Sequence, residues 1–307
     1  MKRLLSCGAA LLLTAVFAAA PIAGAAESRK SSLQDLSENC IVMGRSAADG
    51  SGITMDDTAA GILFRARCSG TVTVEITARM TDSTFAAYNF LYFTVFVDGE
   101  RQEERLKISG TTRKPQAFTL TLAENLPKGD HTFEFYRQTE SQKGLVTLEA
   151  VTLDGTFLKP PEKKLRMEFI GDSITAGYGN LSAAEPNAGS PDIEDGTQSY
   201  AFLTARELNA AHSILAMEGH GLVGGWGREY NVPKTYPYTS WYRDHTEAGL
   251  YGFEDPADVV VVNLGTNDWA TRTQAQYGNN ITTLDFKNAV KSFSETIRAK
   301  NPDAKIV

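Results

Sequence analysis

The chain has 307 residues, of which 42% are hydrophobic and 22% charged, and this composition is that of a globular protein with a sizeable core. The formal net charge is −7 at pH 7, and an acidic surface argues against nucleic acid and anionic membranes as partners. The length corresponds to one large domain or two ordinary ones.

The N-terminus has the pattern of an export signal. Lys2 and Arg3 precede an apolar run rich in Leu and Ala, and the small residues of AGAAES follow that run. This pattern predicts a secretory signal peptide over residues 1–26, and therefore a secreted, extracellular protein. A membrane anchor is the alternative, and the shortness of the run argues against it.

The next part of the chain has the periodicity of β-structure. Residues 27–37 are polar and predict a flexible lead-in, whereas residues 38–158 contain repeated strand patterns such as the alternating TVTVEIT. Asp98-Gly99 lies between two such runs and predicts a hairpin. The segment LPKGD, residues 126–130, predicts a turn between two further strands. Many short strands without a long helical period predict an all-β sandwich or jelly-roll domain over 38–158.

Two cysteines, Cys40 and Cys68, lie in this predicted β-domain. Export permits a disulfide between them, and two free thiols are equally compatible with the sequence. Neither a CxxC motif nor a metal-ligand spacing is present.

A linker, LKPPEKK at residues 158–164, precedes a segment of different periodicity. From 165 to 307, apolar strands (LRMEFI, HSILAM and DVVVVNLG) alternate with helical patterns, which predicts a doubly wound parallel sheet. The faces expected to be buried comprise, on the first helix, Tyr200, Leu203 and Leu208, and, on the last, Phe286, Val290, Phe293 and Ile297. The final AKIV predicts the start of a fourth strand, and we therefore expect this domain to be incomplete at its C-terminus; a natural edge strand at the terminus is the alternative.

Three loops with unusual chemistry follow the first three predicted strands of this domain. They read GDSIT, EGHGLVGGWG and GTNDW, and ligands bind beyond the carboxyl ends of strands in such sheets. Acyl transfer needs a hydroxyl nucleophile and hydrogen-bond donors for the developing oxyanion. Ser173 supplies a hydroxyl and a backbone N–H, Gly221 a backbone N–H free of side-chain bulk, and Asn267 a side-chain amide. The sequence therefore predicts Ser173 as nucleophile, with Ser173, Gly221 and Asn267 as the oxyanion hole.

The order and spelling of these blocks resemble the SGNH hydrolase superfamily, also called GDSL-type esterases, over about residues 165–307. Ser173 matches the nucleophile of that superfamily, Gly221 its oxyanion glycine and Asn267 its oxyanion asparagine. The preceding β-domain, beginning near GRSAADGSG, makes the whole similar to carbohydrate esterase family 2, which removes acetyl groups from plant polysaccharides such as xylan and glucomannan. The resemblance implies a flavodoxin-like SGNH fold.

One departure from the superfamily concerns the general base. The superfamily supplies a histidine in a DxxH block near its C-terminus, and no such block occurs before Val307. A serine hydroxyl is a poor nucleophile without a base, so we expect this histidine to lie beyond Val307. His220 and His245 are the alternatives within the chain, whereas His131 and His212 are predicted to be structural.

Other residues near these motifs have both functional and structural interpretations. Trp269 is predicted to bind substrate by stacking on a sugar ring, with simple packing as the alternative. Asp172 is expected to hold the nucleophile turn by accepting backbone N–H groups, and Asp268 to fix its own loop. The aromatic residues of the loop after the second strand suit sugars, or they pack for stability; they are Trp226, Tyr230, Tyr236, Tyr238, Trp241 and Tyr242. GHGLVG fits a dinucleotide fingerprint, but the residues after it cannot open a helix.

The function expected from these observations is that of a secreted serine esterase acting on an acetylated polysaccharide or oligosaccharide. No metal or organic cofactor is implied. Two alternatives remain: a carbohydrate-binding protein without catalysis, and a lipid or small-ester hydrolase on the same fold.

Overall fold

The structure is a computed structural model, and its described part comprises residues 28–80, 90–110, 114–182, 190–226, 231–240, 249–277 and 279–307. The predicted signal peptide, residues 1–26, lies outside the described residues and stays a prediction. Within the described part, no helix is both long enough and apolar enough to cross a membrane.

The N-terminal half of the chain forms an antiparallel all-β domain, as predicted. Its strands are β1 Arg29–Lys30, β2 Cys40–Met43, β3 Ala47–Asp49, β4 Gly52–Met55, β5 Gly61–Met80, β6 Phe90–Val97, β7 Glu100–Arg101, β8 Leu106–Ser109, β9 Gln116–Arg137 and β10 Gly144–Leu158. They follow the order β3-β4-β10-β5-β9-β6-β7, with β1 paired to β10, β2 to β5 and β8 to β6. Val72, Val74 and Ile76 are fully buried on one face of β5, which accounts for the alternating pattern.

The remaining elements of the described chain are mainly helices and the strands of a second sheet. The helices are α1 Leu33–Asn39, α2 Ser173–Ala176, α3 Tyr200–Glu207, α4 Val232–Thr235, α5 Thr266–Thr271 and α6 Thr283–Lys300, with 3-10 turns at Ser141–Lys143, Pro191–Ile193, Gly196–Gln198 and Ala275–Tyr277. The strands are β11 Arg166–Asp172, β12 Ala211–Met217, β13 Val259–Asn263 and β14 Lys305–Ile306.

Of two turns predicted in the β-domain, one is confirmed and the other is wrong. Asp98 and Gly99 have φ values of +53° and +87°, and they join β6 to β7 with Val97 opposite Glu100, so the predicted hairpin is confirmed. The predicted turn at 126–130 is wrong, because β9 runs through it as one strand. Its pairing with β5 shifts register here, so the glycine and proline mark a β-bulge rather than a reversal.

The predicted flexible lead-in at residues 27–37 is also wrong over its described part, residues 28–37. Arg29 pairs with Leu153 of β10, and α1 begins at a capping box in which Ser32 and Asp35 each accept the other's backbone N–H. Leu36 is fully buried in the core of the β-domain. Leu36 therefore anchors the helix, and the partly buried Leu33 packs against the same core.

Cys40 and Cys68 of the β-domain are both free thiols. Cys40 is partly buried and Cys68 is buried. Burial raises the pKa of the Cys40 thiol to about 12 and that of the Cys68 thiol to about 11. The second of the two alternatives left open by the sequence is therefore the one observed.

The C-terminal half is the predicted doubly wound parallel sheet. All its strand pairs are parallel, in the order β12-β11-β13-β14. Phe169 packs in the core cluster that contains α3, and the adjacent Ile170 packs in the cluster that contains α6. Because neighbouring strand residues point to opposite faces, the two helices cover opposite faces of the sheet.

The buried faces of these helices differ in part from the prediction. In α3 the buried residues are Ala201, Phe202 and Ala205, whereas Leu203 and Leu208 are half exposed, so the predicted face is wrong. Small alanines allow close approach to the sheet, and Phe202 packs between the domains against Tyr136, with ring centroids 5.2 Å apart. In α6, Phe293 and Ile297 are buried as predicted, but Val290 is 44% exposed.

The two halves share a buried polar interface. Arg45 of the β-domain is fully buried and forms an ion pair of 2.8 Å with Glu168 of β11. The same guanidinium donates to the carbonyl oxygens of Tyr236 and Tyr238 at 2.5 and 2.9 Å. His212, also at the interface, donates from Nε2 to the carbonyl oxygen of Ala59 at 2.9 Å.

Replacement of Leu36 by Ala tests whether α1 is part of the core. We expect Leu36→Ala to lower the free energy of unfolding by about 2–4 kcal/mol, because a fully buried leucine leaves a cavity. Urea denaturation measures this. Glu38→Ala, on the exposed side of the same helix, is the control and should change stability by less than about 0.5 kcal/mol. Equal effects of the two variants would show that α1 does not dock.

Burial of His212 gives the protein a pH-dependent stability. Burial lowers the pKa of His212 to about 4, so the folded state keeps this imidazole neutral while the unfolded chain protonates it below about pH 6.5. Stability should therefore fall by up to about 3 kcal/mol as the pH falls from about 6.5 to 4. His212→Gln retains a donor for Ala59 without titrating, and its unfolding free energy should lack this component in the same window. Parallel pH profiles of the two proteins would contradict the assignment.

Candidate active site

The three predicted motif loops leave the same edge of the parallel sheet. Asp172, the last residue of β11, is opposite Met217, the last residue of β12. On the other side of β11, Gly171 is opposite Asn263, the last residue of β13. Because the strands are parallel and in this register, their carboxyl ends, and the loops that follow, meet above β11.

Ser173 begins a one-turn helix directly after β11. The side chain of Asp172 caps this helix by accepting the N–H of Ile174 at 3.0 Å, so Asp172 holds the turn as expected. Gly177 ends the turn with φ +83°. A side chain at Gly171 would place its Cβ 2.0 Å from the Thr175 hydroxyl, so only glycine fits before the turn. Ser173 is partly exposed, and among the described residues its hydroxyl has no hydrogen-bond partner.

The carboxyl group of Asp172 lies in a low-dielectric position beside the nucleophile turn. Burial raises its pKa above the ordinary value, and the nearby charge of Asp268 acts in the same direction, whereas the N–H of Ile174 opposes both. The carboxylate is only 1% exposed.

Gly221 lies in a tightly folded loop after β12. A Cβ at this position would lie 1.9 Å from the carbonyl oxygen of Gly224 and 2.5 Å from Oδ2 of Asp268. The loop contains turns and bends, and the next helix is the single turn α4. The dinucleotide fingerprint therefore lacks the helix that binds a pyrophosphate.

Asn267 connects the three loops. Its Nδ2 donates to the carbonyl oxygen of His220 at 2.9 Å and lies 3.5 Å from Oδ2 of Asp172. These partners are the residues immediately before Gly221 and Ser173. The structure therefore brings the side chain of Asn267 to the point where the other two motif loops meet, with an exposed fraction of only 7%.

Trp269 occupies the rim of this region. Its side chain is 68% exposed and forms part of a cavity of about 550 Å³ that is also lined by Phe286, Ile281 and Arg272. The guanidinium of Arg272 lies over the indole ring, 3.6 Å from its centroid. One face of the indole is therefore occupied by a cation.

The aromatic residues after β12 were expected either to contact sugars or to pack for stability, and the described ones differ in burial. Tyr236 is fully buried, and its hydroxyl donates to Oε2 of Glu168 at 3.0 Å, so it belongs to the core. Trp226 is 51% exposed and packs edge-on against Tyr277, with centroids 4.9 Å apart. Tyr230, Trp241 and Tyr242 lie outside the described residues.

The histidines within the described residues, His131, His212 and His220, lie in three different environments. His131 contacts the Asp98 carboxylate at 2.8 Å and donates to Pro127 O at 2.9 Å; the first contact is the largest cause of its raised pKa. His212 lies at the interface between the two halves and bonds to Ala59 O. Both His131 and His212, predicted to be structural, therefore bond to groups outside the three motif loops. His220 donates from Nδ1 to Glu218 O at 2.7 Å, and burial lowers its pKa.

No described histidine ring hydrogen-bonds to the Ser173 hydroxyl. His245 lies outside the described residues. The location of the general base therefore stays a prediction from the sequence.

Comparison with known proteins identifies both halves of the chain. Residues 169–307 match the GDSL-like Lipase/Acylhydrolase family, and residues 42–161 match the Carbohydrate esterase 2 N-terminal family. The chain belongs to the carbohydrate esterase 2 type of GDSL-like hydrolases.

Individual relatives agree with this assignment. Cellulase/esterase CelE of Acetivibrio thermocellus is 33% identical over 223 residues, which cover 70% of this chain and 25% of that protein. An acetylxylan esterase / glucomannan deacetylase of Cellvibrio japonicus is 31% identical over 155 residues, covering 48% of this chain and 42% of that protein. The chain therefore spans less than half the length of either of these curated relatives.

A solved structure also has this fold. A family two carbohydrate esterase from Clostridium thermocellum, in complex with cellohexaose, aligns with a TM-score of 0.73 at 27% identity, covering 87% of this chain and 76% of that chain.

The β-domain of this carbohydrate esterase 2-type hydrolase supports two of the motif loops. The hydroxyl of Thr58 lies 3.2 Å from the carbonyl oxygen of Ala176, in the nucleophile turn. Glu140 is fully buried and accepts the N–H of Glu218, the first residue after β12, at 2.6 Å. The β-domain therefore helps to shape the carboxyl edge of the sheet.

Sequence reasoning missed these supporting residues and the main contact of Asp268. Thr58 and Glu140 lie in strand-rich sequence without a motif, so nothing local marks them. Asp268 was expected to fix its own loop, whereas its carboxylate accepts N–H groups from the loop after β12. Within the described residues, no group of three or more His, Cys, Asp or Glu side chains is arranged to hold a metal ion.

Proposed function

We propose that the protein is a serine esterase that removes O-acetyl groups from a plant cell-wall polysaccharide of the xylan or glucomannan type. The observation that carries the proposal is the position of the Asn267 amide, which lies against the residues preceding both Ser173 and Gly221. Family membership supports the reaction class, and the names of the curated relatives support the substrate class.

The reaction begins with attack of the Ser173 hydroxyl oxygen on the acetyl carbonyl. The hydroxyl loses its proton to a general base, for which the sequence predicts a histidine. The ester C–O bond breaks, the sugar hydroxyl leaves with a proton, and an acetyl group remains on Ser173. Water then attacks this acyl-enzyme, releases acetate and restores the serine.

Negative charge develops on the carbonyl oxygen during both steps. The backbone N–H groups of Ser173 and Gly221 and the amide of Asn267 are the proposed donors to this oxygen. Asn267 has two amide protons. One is used by His220 O at 2.9 Å, and the contact to Asp172 is long at 3.5 Å, so the second proton is the one we assign to the oxyanion.

The sugar is proposed to contact Trp269. The exposed indole at the rim presents an apolar face on which the C–H groups of a sugar ring can pack. Arg272 lies over the ring and holds it in place from the other side. Secretion through the predicted signal peptide would place the enzyme with this substrate.

A binding role at the same site is the second candidate function. A solved family two carbohydrate esterase was obtained in complex with cellohexaose, so a protein of this fold holds an unacetylated oligosaccharide. Retention of cellohexaose by the present protein, without turnover of any acetyl ester, would favour binding over catalysis.

Replacement of Ser173 by Ala tests the nucleophile. We expect Ser173→Ala in the natural protein to lower kcat for acetate release from acetylated xylan by at least about 10³-fold, because no other group can form the acyl-enzyme. Acetate is measured directly, and thermal melting checks that the variant is folded. Ser292→Ala, exposed on α6, is the matched control and should keep full activity. A Ser173→Ala protein that releases acetate at the normal rate would disprove the proposal.

Replacement of Trp269 by Ala tests the sugar contact. We expect KM for an acetylated oligosaccharide to rise about 3- to 10-fold, while kcat/KM for a small ester such as 4-nitrophenyl acetate changes little, because stacking is lost only for the sugar. Leu284→Ala, which removes an equally exposed apolar side chain from α6, is the control. Equal losses on both substrates would indicate that Trp269 supports the structure of the site instead.

A further inference from the structure

The carboxylate of Asp268 accepts three backbone hydrogen bonds beside the motif loops. Its Oδ2 accepts the N–H of Leu222 at 2.8 Å, and its Oδ1 accepts the N–H groups of Val223 and Gly224 at 2.6 and 3.1 Å. The side chain is only 2% exposed. Three consecutive backbone donors from one loop therefore converge on a charged side chain that belongs to another loop.

These bonds fix the peptide unit on the C-terminal side of Gly221. The N–H of Leu222 belongs to the peptide plane that joins Gly221 to Leu222. Two bonds hold that plane: Leu222 N–H donates to Asp268, and Gly221 O accepts the N–H of Val232 at 3.1 Å. The plane on the other side, which joins His220 to Gly221, is held through His220 O by Asn267 at 2.9 Å. Because the C=O and N–H of one trans peptide point in opposite directions, this bond also sets the direction of the Gly221 N–H.

Gly221 is closely packed between these two peptide planes. The hypothetical Cβ position of Gly221 lies 2.5 Å from Oδ2 of Asp268, so the carboxylate is in direct contact with the backbone of the glycine. Loss of the carboxylate would leave the Gly221–Leu222 plane held only by the bond from Val232 N–H to Gly221 O, while the other plane stays bonded to Asn267.

We propose that Asp268 is a positioning residue that preorganises the Gly221 N–H as an oxyanion donor. The proposal rests on the proposed esterase function, because it assigns a role within that oxyanion hole. A donor that is held in place before the reaction costs no reorganisation when charge develops on the carbonyl oxygen. The effect of Asp268 should therefore appear in the chemical step rather than in substrate binding.

Asp268→Asn is the most selective test, because asparagine has nearly the same shape. An amide has one oxygen and one NH₂ group, so whichever way it turns, its NH₂ group faces at least one of the three backbone N–H groups. We expect kcat for acetate release to fall about 10- to 100-fold with KM within about twofold of the wild type, since the donor is displaced rather than removed. An unchanged kcat in the folded variant would overturn the proposal.

Asp258→Asn is the matched control. Asp258 also accepts a backbone N–H, that of Arg166 at 2.8 Å, but at the opposite, amino end of the same sheet. A loss of melting temperature without a loss of kcat is expected for this variant. If both variants lose kcat in proportion to their loss of stability, Asp268 has a general structural role and the positioning proposal is wrong.

Ser173→Ala separates failure of this proposal from failure of the proposed function. If Ser173→Ala retains activity, the esterase assignment itself fails. If Ser173→Ala is inactive but Asp268→Asn has the wild-type kcat, only the positioning role fails.

Amide hydrogen exchange in the unaltered protein provides a test that does not depend on the folding of a variant. The N–H groups of Leu222, Val223 and Gly224 should exchange slowly, because each is bonded to a buried carboxylate. Exchange of these three amides at the rate of an exposed loop would contradict the proposal.

Discussion

The parallel register of β11 with its two neighbours is the constraint on which the site depends. Gly171 and Asp172 lie beside the last residues of β12 and β13, so three chain segments turn away from the sheet at nearly one point. Backbone groups that leave a sheet at a buried edge need partners. Here the partners come from the neighbouring loops: Asn267 bonds to the loop after β12, and Asp268 bonds to the same loop three times. Gly221 is crowded by the Asp268 carboxylate of another loop, so the conformation of the loop after β12 depends on the position of the loop after β13.

The second constraint is the polar interface with the β-domain. The Arg45–Glu168 ion pair is almost completely buried, and the remaining donors of Arg45 bond to carbonyl oxygens of the loop that contains α4. Such a pair adds little net stability over apolar residues, but loss of one partner leaves an uncompensated buried charge. The pair therefore fixes how the two halves pack. Since Thr58 and Glu140 reach the nucleophile turn and the end of β12 across the same interface, the β-domain is part of the support of the site.

Much of this arrangement was accessible from the sequence, because it depends on local signals. Alternating apolar residues identified the strands of the β-domain, Asp98-Gly99 identified a hairpin, and apolar runs followed by motif loops identified the parallel sheet. The prediction failed where tertiary packing decides between local alternatives. Pro127 and Gly129 have the composition of a turn, yet pairing with the long strand β5 makes them a bulge. The burial of Leu36 depends on core residues from distant strands of the β-domain, and the acceptor role of Asp268 depends on a loop 44 to 46 residues away.

The buried interface also contains carboxyl groups whose burial is unfavourable when they are charged. Both carboxylate oxygens of Glu194 and one of Asp57 are buried without a hydrogen-bond partner among the described residues. Burial raises the pKa of each carboxyl group well above its ordinary value, and a neighbouring carboxylate, Glu140 for Glu194 and Asp56 for Asp57, raises it further. A carboxyl group whose pKa is raised by folding binds its proton more tightly in the folded state. Its contribution to stability is therefore present at low pH and is lost as the pH rises from the unfolded pKa through the folded one.

His212 has the opposite dependence, because its lowered pKa disfavours the folded state at low pH. The interface thus contains groups that favour folding in acid beside one that opposes it. The pH dependence of folding stability therefore reflects the balance of these opposing groups.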